Sequence, residues 1–366
     1  MKHKGIKPDL VLLASIFLII FWGFLILASV SITISQKYFD NSFHFLIHQI
    51  VFGLLPGLIL GFIAYKIDLK IIRKYALVLV IIAILLMVLI FMPKIGSSSG
   101  GARRWVSLFG LKFQPSEFLK LAFIIYLAAW LTKHKKEKKS FLNFFLPMIV
   151  ILGVVCVLLI MQPDISTLGV IVAVALIMYF IAETPIWHTL VLAFSGVAAL
   201  LILIKTAPYR LERMLVFLNP GTQPLGSGYQ FNQSLIAVGS GRITGQGLGL
   251  SVQKSSFLPQ PMTDTIFAVL AEETGFIGAC ILVILFLIFI WQGFNIARKS
   301  KGDFLKLMAI GIVLWLTIQA FVNIGAIIGI LPLTGIPLPL VSYGSSHILV
   351  ELTALGLLLN ISKQKT

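Results

Sequence analysis

Residues 205–276 read KTAPYRLERMLVFLNPGTQPLGSGYQFNQSLIAVGSGRITGQGLGLSVQKSSFLPQPMTDTIFAVLAEETGF. Up to about Met262 the stretch is rich in Gly, Pro, Gln, Ser and Asn, the residues of turns and adaptable polar surface. At Thr263-Asp264 the composition changes, and an apolar run of membrane-spanning length begins that reaches to about residue 294. The rest of the chain alternates between similar greasy runs and short connectors. The pattern is that of a membrane bundle carrying one long polar loop, which brings a single carboxylate, Asp264, to the mouth of a helix.

Composition agrees. Hydrophobic residues make up 58% of the 366 and charged residues only 11%, with a mean hydropathy of +1.02; a soluble domain carries about 25% charged residues. The net charge of +16 raises the question of a nucleic-acid partner. The cations lie in connectors between apolar runs and form no single basic face, which excludes that class. Cys156 and Cys280 each sit inside an apolar run and read as small core hydrophobes, with no disulfide framework or metal-ligand spacing.

Apolar runs near 9–32, 45–65, 75–92, 114–132, 142–161, 165–182, 187–204, 264–294, 304–330 and 345–361 predict an all-α, polytopic membrane protein of ten spans. It is a single membrane domain over 1–366, with one large outer loop at about 205–263 between spans seven and eight. Placing the N-terminus inside puts eighteen of the 29 basic residues on that side, as the positive-inside rule requires. They are Lys2, Lys4, Lys7, Lys66, Lys70, Arg73, Lys74, the cluster Lys133, Lys135, Lys136, Lys138 and Lys139, then Arg298, Lys299, Lys301, Lys306, Lys363 and Lys365. Both termini then face the cytoplasm. Cations that oppose the rule gather in two outer loops: Lys94, Arg103, Arg104 and Lys112 in one, Lys205, Arg210, Arg213, Arg242 and Lys254 in the other. Such a grouping suits an anionic ligand, and it also suits a solvated loop surface.

Five constellations can carry chemistry. Gln114-Pro115-Ser116-Glu117 reads as a helix start, and Glu117 and Lys120 share a face; a pair inside lipid is either a structural ion pair or faces a wet interior. Arg104 and Trp105 precede it, the latter also readable as an interfacial anchor. Asp164, in Gln162-Pro163-Asp164, reads as a turn residue capping the next helix. The GSGRITG and GQGLG glycines follow no strand, so a phosphate-cradle fold fails on context. Asp264 is either a first-turn acid or a general base: burial at a lipid–water boundary raises its pKa, and the helix N-terminus favours the anion. Finally LPLTGIPLPLVSYGSSH, residues 331–347, is an irregular segment whose Ser342 and Tyr343 hydroxyls can meet a polar headgroup, with His347 read as a packing residue.

Taken in order, these stretches resemble the SEDS family of bacterial cell-wall proteins (FtsW, RodA and SpoVE) over essentially the whole chain. The motifs are GARRW at 101–105, QPSEFLK at 114–120, QPD at 162–164, YRLERMLVFLNP at 209–220, GSGYQFNQSLIAVGSG at 226–241, GQGLGLSVQK at 245–254, TD at 263–264, IFAVLAEETGF at 266–276 and LPLTGIPLPLVSYG at 331–344. The resemblance implies a peptidoglycan glycosyltransferase of the bacterial inner membrane that polymerises lipid II on the outer face, with Asp264 as catalytic base. Substrate-binding positions would be Arg104, Trp105, Glu117, Lys120, Asp164, Arg210, Tyr229, Gln233, Lys254, Ser342 and Tyr343. Among them Arg104, Lys120, Arg210 and Lys254 would neutralise the lipid diphosphate. It further implies a class B penicillin-binding protein as partner, with other division or elongation proteins. It leaves room for a divalent cation, Mg or Mn, although no ligand set announces one.

QSLIA and SVQK look more like the division enzymes than the elongation ones. The sequence departs from the family at Met262-Thr263-Asp264-Thr265, where HTDF is usual, at Leu258-Pro259-Gln260 for LPE, at QPDIST for QPDLGT and at Arg242 for a glycine. The rival classes are a lipid II flippase, an elongation-type polymerase and a non-catalytic scaffold. Polar clusters at the outer ends of spans favour chemistry at that face over transport.

Overall fold

The computed structural model describes residues 8–39, 41–93, 95–99, 102–108, 111–134, 137–138, 140–219 and 226–364. The expectations for Lys2, Lys4, Lys7, Lys94, Lys135, Lys136, Lys139 and Lys365 lie outside them. Helix α1 (Leu10–Phe39) is followed by α2 (His44–Gln49), which runs through a π-helical turn, Ile50–Leu54, into α3 (Leu55–Lys66). After α4 (Leu69–Lys74) and α5 (Ala76–Leu89) come three strands, β1 (Gly96–Ser99), β2 (Ala102–Leu108) and β3 (Leu111–Phe113). Helix α6 (Pro115–Lys133), a π-helical turn at Phe141–Phe145, α7 (Leu146–Met161), α8 (Ile165–Ile181) and α9 (Ile186–Thr206) follow. The long polar segment holds α10 (Pro208–Leu218), α11 (Ser227–Ser240) and α12 (Gln253–Ser256). The chain closes with α13 (Ile266–Arg298), α14 (Asp303–Ile327) and α15 (Ser345–Ser362).

Among the described residues, eight helices are long and apolar enough to cross a membrane. The third and sixth expected spans correspond to α5 and α8, apolar helices of 14 and 17 residues. At about 1.5 Å per residue they reach roughly 21 and 26 Å, short of the ~30 Å hydrocarbon layer. Length and composition thus single out eight helices, and do not by themselves confirm the ten spans that hydropathy suggested. A second difference is the antiparallel sheet β1-β2-β3, which an all-α expectation did not include; it is small, and Val106 of β2 joins the helical core.

Helices α6, α14 and α15 are buried along most of their length, whereas α9 buries only His188 and Leu192. In lipid, helices associate by close packing of small residues, and α3 and α15 show why. Gly53, Gly57 and Gly61 recur every four residues on the face of the second span that meets α15, and a Cβ on Gly57 would come 2.8 Å from Leu352 Cδ1 and 3.1 Å from Leu349 Cα. A Cβ on Gly356 would overlap the carbonyl of Gly61. Nearby, Asn360 Nδ2 donates to the carbonyls of Ala64 (3.0 Å) and Ile67 (2.7 Å), and Asp9 N donates to Ser362 Oγ (3.1 Å). The first, second and last spans are thus tied together at the end that carries Lys66, Arg73, Lys74 and Lys363.

At the other end α13 breaks at Gly275 (φ +67°, ψ −166°). The freed backbone groups are satisfied by the loop 242–247: Gln246 N and Gly247 N donate to the carbonyls of Glu272 and Glu273, each at 3.0 Å. In return Phe276 N and Ile277 N donate to the carbonyls of Arg242 (2.9 Å) and Ile243 (3.1 Å). Broken helices survive at membrane depth only where other protein segments complete the hydrogen bonds, and here the polar loop supplies them.

Candidate active site

Asp264 stands two residues before α13 and is half-buried. Its peptide is fixed from three directions. Asn323 Nδ2, near the end of α14, donates to the Asp264 carbonyl at 2.8 Å and to the Ile336 carbonyl at 2.7 Å. Ser342 Oγ donates to the Thr263 carbonyl at 2.7 Å, and Tyr343 N donates to the Met262 carbonyl at 2.8 Å. Thr265 Oγ1 donates to the Pro259 carbonyl at 2.8 Å. With the backbone so held, the carboxylate is the one part of the residue left for chemistry.

Two guanidinium groups act on it. Arg213, on α10, donates through Nη1 to the Leu333 carbonyl at 3.4 Å. A methyl group on Gly335 (φ +70°) would lie 3.4 Å from Asp264 Oδ2 and 4.0 Å from Arg213 Nη1, so carboxylate and guanidinium border one small space over a residue without a side chain. Arg104 arrives from β2. The β1–β2 register shifts between Ser97 and Ser98, which leaves Arg104 as the extra residue opposite them; a bulge of this kind re-aims a side chain. Arg104 Nε donates to the Gln162 carbonyl (3.4 Å) and Nη2 to that of Pro163. Burial pushes the Asp264 carboxyl above its ordinary value, while Arg213 first, then Arg104 and the Thr263 side chain, pull it back without cancelling the rise. Burial therefore outweighs these three influences on the carboxyl.

The remaining expected positions divide. Asp164 is buried, takes the Thr167 amide at 3.4 Å and accepts from Ser116 Oγ at 3.4 Å, a cap as its position suggested. Arg210 lies one turn before Arg213 and donates to the Leu203 carbonyl at 2.7 Å and to Tyr209 Oη at 2.9 Å. Tyr229 and Gln233 lie one turn apart on α11 and are half-buried, and Trp105 is half-buried next to Arg104 on β2. Ser342 holds backbone, as described. Tyr343 Oη pairs with His48 Nδ1 at 2.9 Å, and burial pushes its hydroxyl up to about 12.

Lys120 and Lys254 do not serve as free cations. Lys120 Nζ is 3.0 Å from Glu117 Oε2, with both side chains 3% exposed. Lys254 Nζ is 2.6 Å from Glu273 Oε1 and 2.8 Å from Ser29 Oγ. A cation in this setting must be paired, and Lys120 and Lys254 have their partners in Glu117 and Glu273 within the bundle. Glu272, beside Glu273, accepts from Ser251 Oγ and from Val252 N at 3.1 Å; together the two acids pin the polar loop to α13.

Sequence reading did not single out Arg213, Asn323 or Gly335. Arg213 carried a signal, since it lies three residues beyond Arg210 on the same helical face. Asn323 carried a weaker one, a polar residue near the end of an apolar span.

A family model described as a cell cycle protein of the FtsW, RodA and SpoVE type matches residues 9–366. The chain belongs to the SEDS family. One SEDS relative, the stage V sporulation protein E of Bacillus subtilis (strain 168), is 38% identical over 363 residues, covering 99% of each chain. Another, named a probable peptidoglycan glycosyltransferase FtsW, from Thioalkalivibrio sulfidiphilus, is 38% identical over 362 residues, covering 98% of this chain and 90% of the relative. Among solved SEDS structures, the rod shape determining protein RodA of Thermus thermophilus matches with a TM-score of 0.71 at 26% identity, covering 98% of this chain and 97% of that one. A chain from a peptidoglycan synthase complex that coordinates polymerization and crosslinking matches with a TM-score of 0.77 at 28% identity, covering 97% of each.

Proposed function

We propose that this SEDS protein is a peptidoglycan glycosyltransferase that polymerises lipid II, with Asp264 as general base. The observation that carries the reading is the half-buried Asp264 carboxylate, its backbone fixed on three sides and its side chain bordered by Arg213 and Arg104. Relatives named as peptidoglycan glycosyltransferases supply the reaction class. The acceptor's GlcNAc 4-hydroxyl loses its proton to Asp264 as its oxygen bonds to C1 of the donor MurNAc. The C1–O bond to the polyprenyl diphosphate breaks in the same displacement, so C1 inverts and no covalent enzyme intermediate forms. Arg213 and Arg104 neutralise the charge that grows on the departing diphosphate, and Arg210 extends that berth. Trp105, Tyr229 and Gln233 are proposed contacts for sugar and headgroup.

Among the described residues no group of three or more His, Cys, Asp or Glu side chains converges to hold Mg or Mn. The cations at Asp264 are guanidinium groups, and no step above runs through a metal. The proposed position of the site is the outer face of the bacterial cytoplasmic membrane, with both termini inside, and the lysine-rich connectors at the opposite end support it. A class B penicillin-binding protein is the proposed partner, and division the proposed setting, supported by the FtsW-named relatives.

The test is polymerisation of labelled lipid II by the purified protein with its partner. Glycan strands from the native protein, with none from Asp264→Ala of native fold, support the reading. Translocation of the lipid II headgroup across liposomes without glycan growth would replace it with the flippase.

A further inference from the structure

His347, at the start of α15, lies between two acids. Its Nδ1 hydrogen-bonds Glu117 Oε2 at 2.9 Å, its Nε2 is 3.0 Å from Glu351 Oε1 in an ion contact without hydrogen-bond alignment, and all three side chains are at most 5% exposed. Lys120 completes the group through Glu117 (3.0 Å) and through Gln319 Oε1 (2.9 Å), with Trp315 Nε1 sharing that oxygen at 2.8 Å. With a carboxylate oxygen within 3.0 Å of each ring nitrogen, the imidazolium is the form whose charge opposes both anions. The charges then balance, two carboxylates against one ammonium and one imidazolium. That balance is what a buried cluster in lipid requires.

The cluster reaches the segment that holds Asp264. Glu351 Oε2 accepts from Leu340 N at 2.8 Å, and Gln319 Nε2 donates to the Pro337 carbonyl at 3.1 Å. On the same segment, Ile336 shares Asn323 Nδ2 with Asp264, and Ser342 holds the Thr263 carbonyl. We infer that His347 is a positioning residue, whose imidazolium keeps Glu351 ionised and aimed at Leu340 and thereby fixes the 336–344 segment on which the Asp264 peptide rests. Without the ring, Glu351 is an uncompensated buried anion that must take a proton or turn away, and Leu340 N loses its acceptor. The catalytic consequence rests on Asp264 being the base; the bracing itself does not.

The test uses His347→Gln in the full chain with its partner. Backbone hydrogen exchange at Leu340 is expected to quicken, and kcat for lipid II polymerisation to fall about 10-fold or more with KM within about 2-fold, as for a reacting group displaced from its working geometry. The double variant His347→Gln with Glu351→Gln removes both charges and stays balanced. It is expected to slow exchange at Leu340 again and to recover part of kcat, and it provides the readout should the single variant fail to fold. Unchanged exchange in His347→Gln, or a double variant whose losses simply add, would overturn the inference. Exchange is read without substrate, so an Asp264→Ala protein that still made glycan would remove the catalytic reading and leave this result standing.

Discussion

Asn323 and Asp264 meet through the backbone: Asn323 Nδ2 donates to the Asp264 carbonyl at 2.8 Å, and also to Ile336 at 2.7 Å. One buried amide thus joins α14, the residue before the α13 N-cap and the irregular segment after α14. Asn323→Leu keeps the volume and leaves two carbonyls without a donor, which costs about 1–3 kcal/mol each when buried. The expected outcome is a lower melting temperature in detergent and a kcat loss of about 10-fold or more. Native kcat with native melting would remove Asn323 from the account.

Arg213 is expected to matter more than Arg210, although both lie in the same motif. Arg213→Ala should lower kcat/KM by about 100-fold, the size expected when one preorganised stabilising group is lost. Arg213→Lys should restore little, because a point charge does not replace a planar fork. Steady-state rates on lipid II for both variants, beside Arg210→Ala, decide the order.

The pH profile should change in a stated direction. Burial raises the Asp264 carboxyl and Arg213 is the largest influence drawing it back. A base works deprotonated, so activity falls as pH drops through that pKa. Removing Arg213 lets the pKa rise further, and the acid limb of kcat/KM for Arg213→Ala should move to higher pH than in the native protein. An acid limb that moves down, or stays, contradicts the arrangement.

The Lys254–Glu273 pair, 2.6 Å apart with side chains 2% and 0% exposed, ties the polar loop to α13 and α1. Glu273→Gln leaves a buried ammonium and is expected to destabilise by about 3–5 kcal/mol, whereas Lys254→Met with Glu273→Leu should cost far less. Thermal unfolding of the two proteins in the same detergent separates them.

How much of this was readable beforehand depends on the range of the interaction. Membrane spans depend on local hydropathy, and they were placed to within a few residues, but α5 and α8 proved too short for length alone to count them as spans. Asp264 was legible because the composition changes beside it. The sheet was missed because a polar outer loop gives no membrane signal and the bulge at Arg104 breaks the alternation of Ala102–Leu108. The Glu117–Lys120 pair was one of the two readings their spacing offered, whereas sequence shows Lys254 without its partners: it is held by Glu273 and by Ser29, 225 residues away. His347 read as a packing histidine for the same reason, because Glu117 lies 230 residues from it.

The proposed reaction depends most directly on the Asp264 side chain, and Asp264→Asn replaces one oxygen with nitrogen at nearly constant shape. Glycan formation from labelled lipid II should fall by about 100-fold to 10,000-fold, the usual worth of a general base, with the melting temperature unchanged. Glycan made by the asparagine protein at the native rate would contradict it.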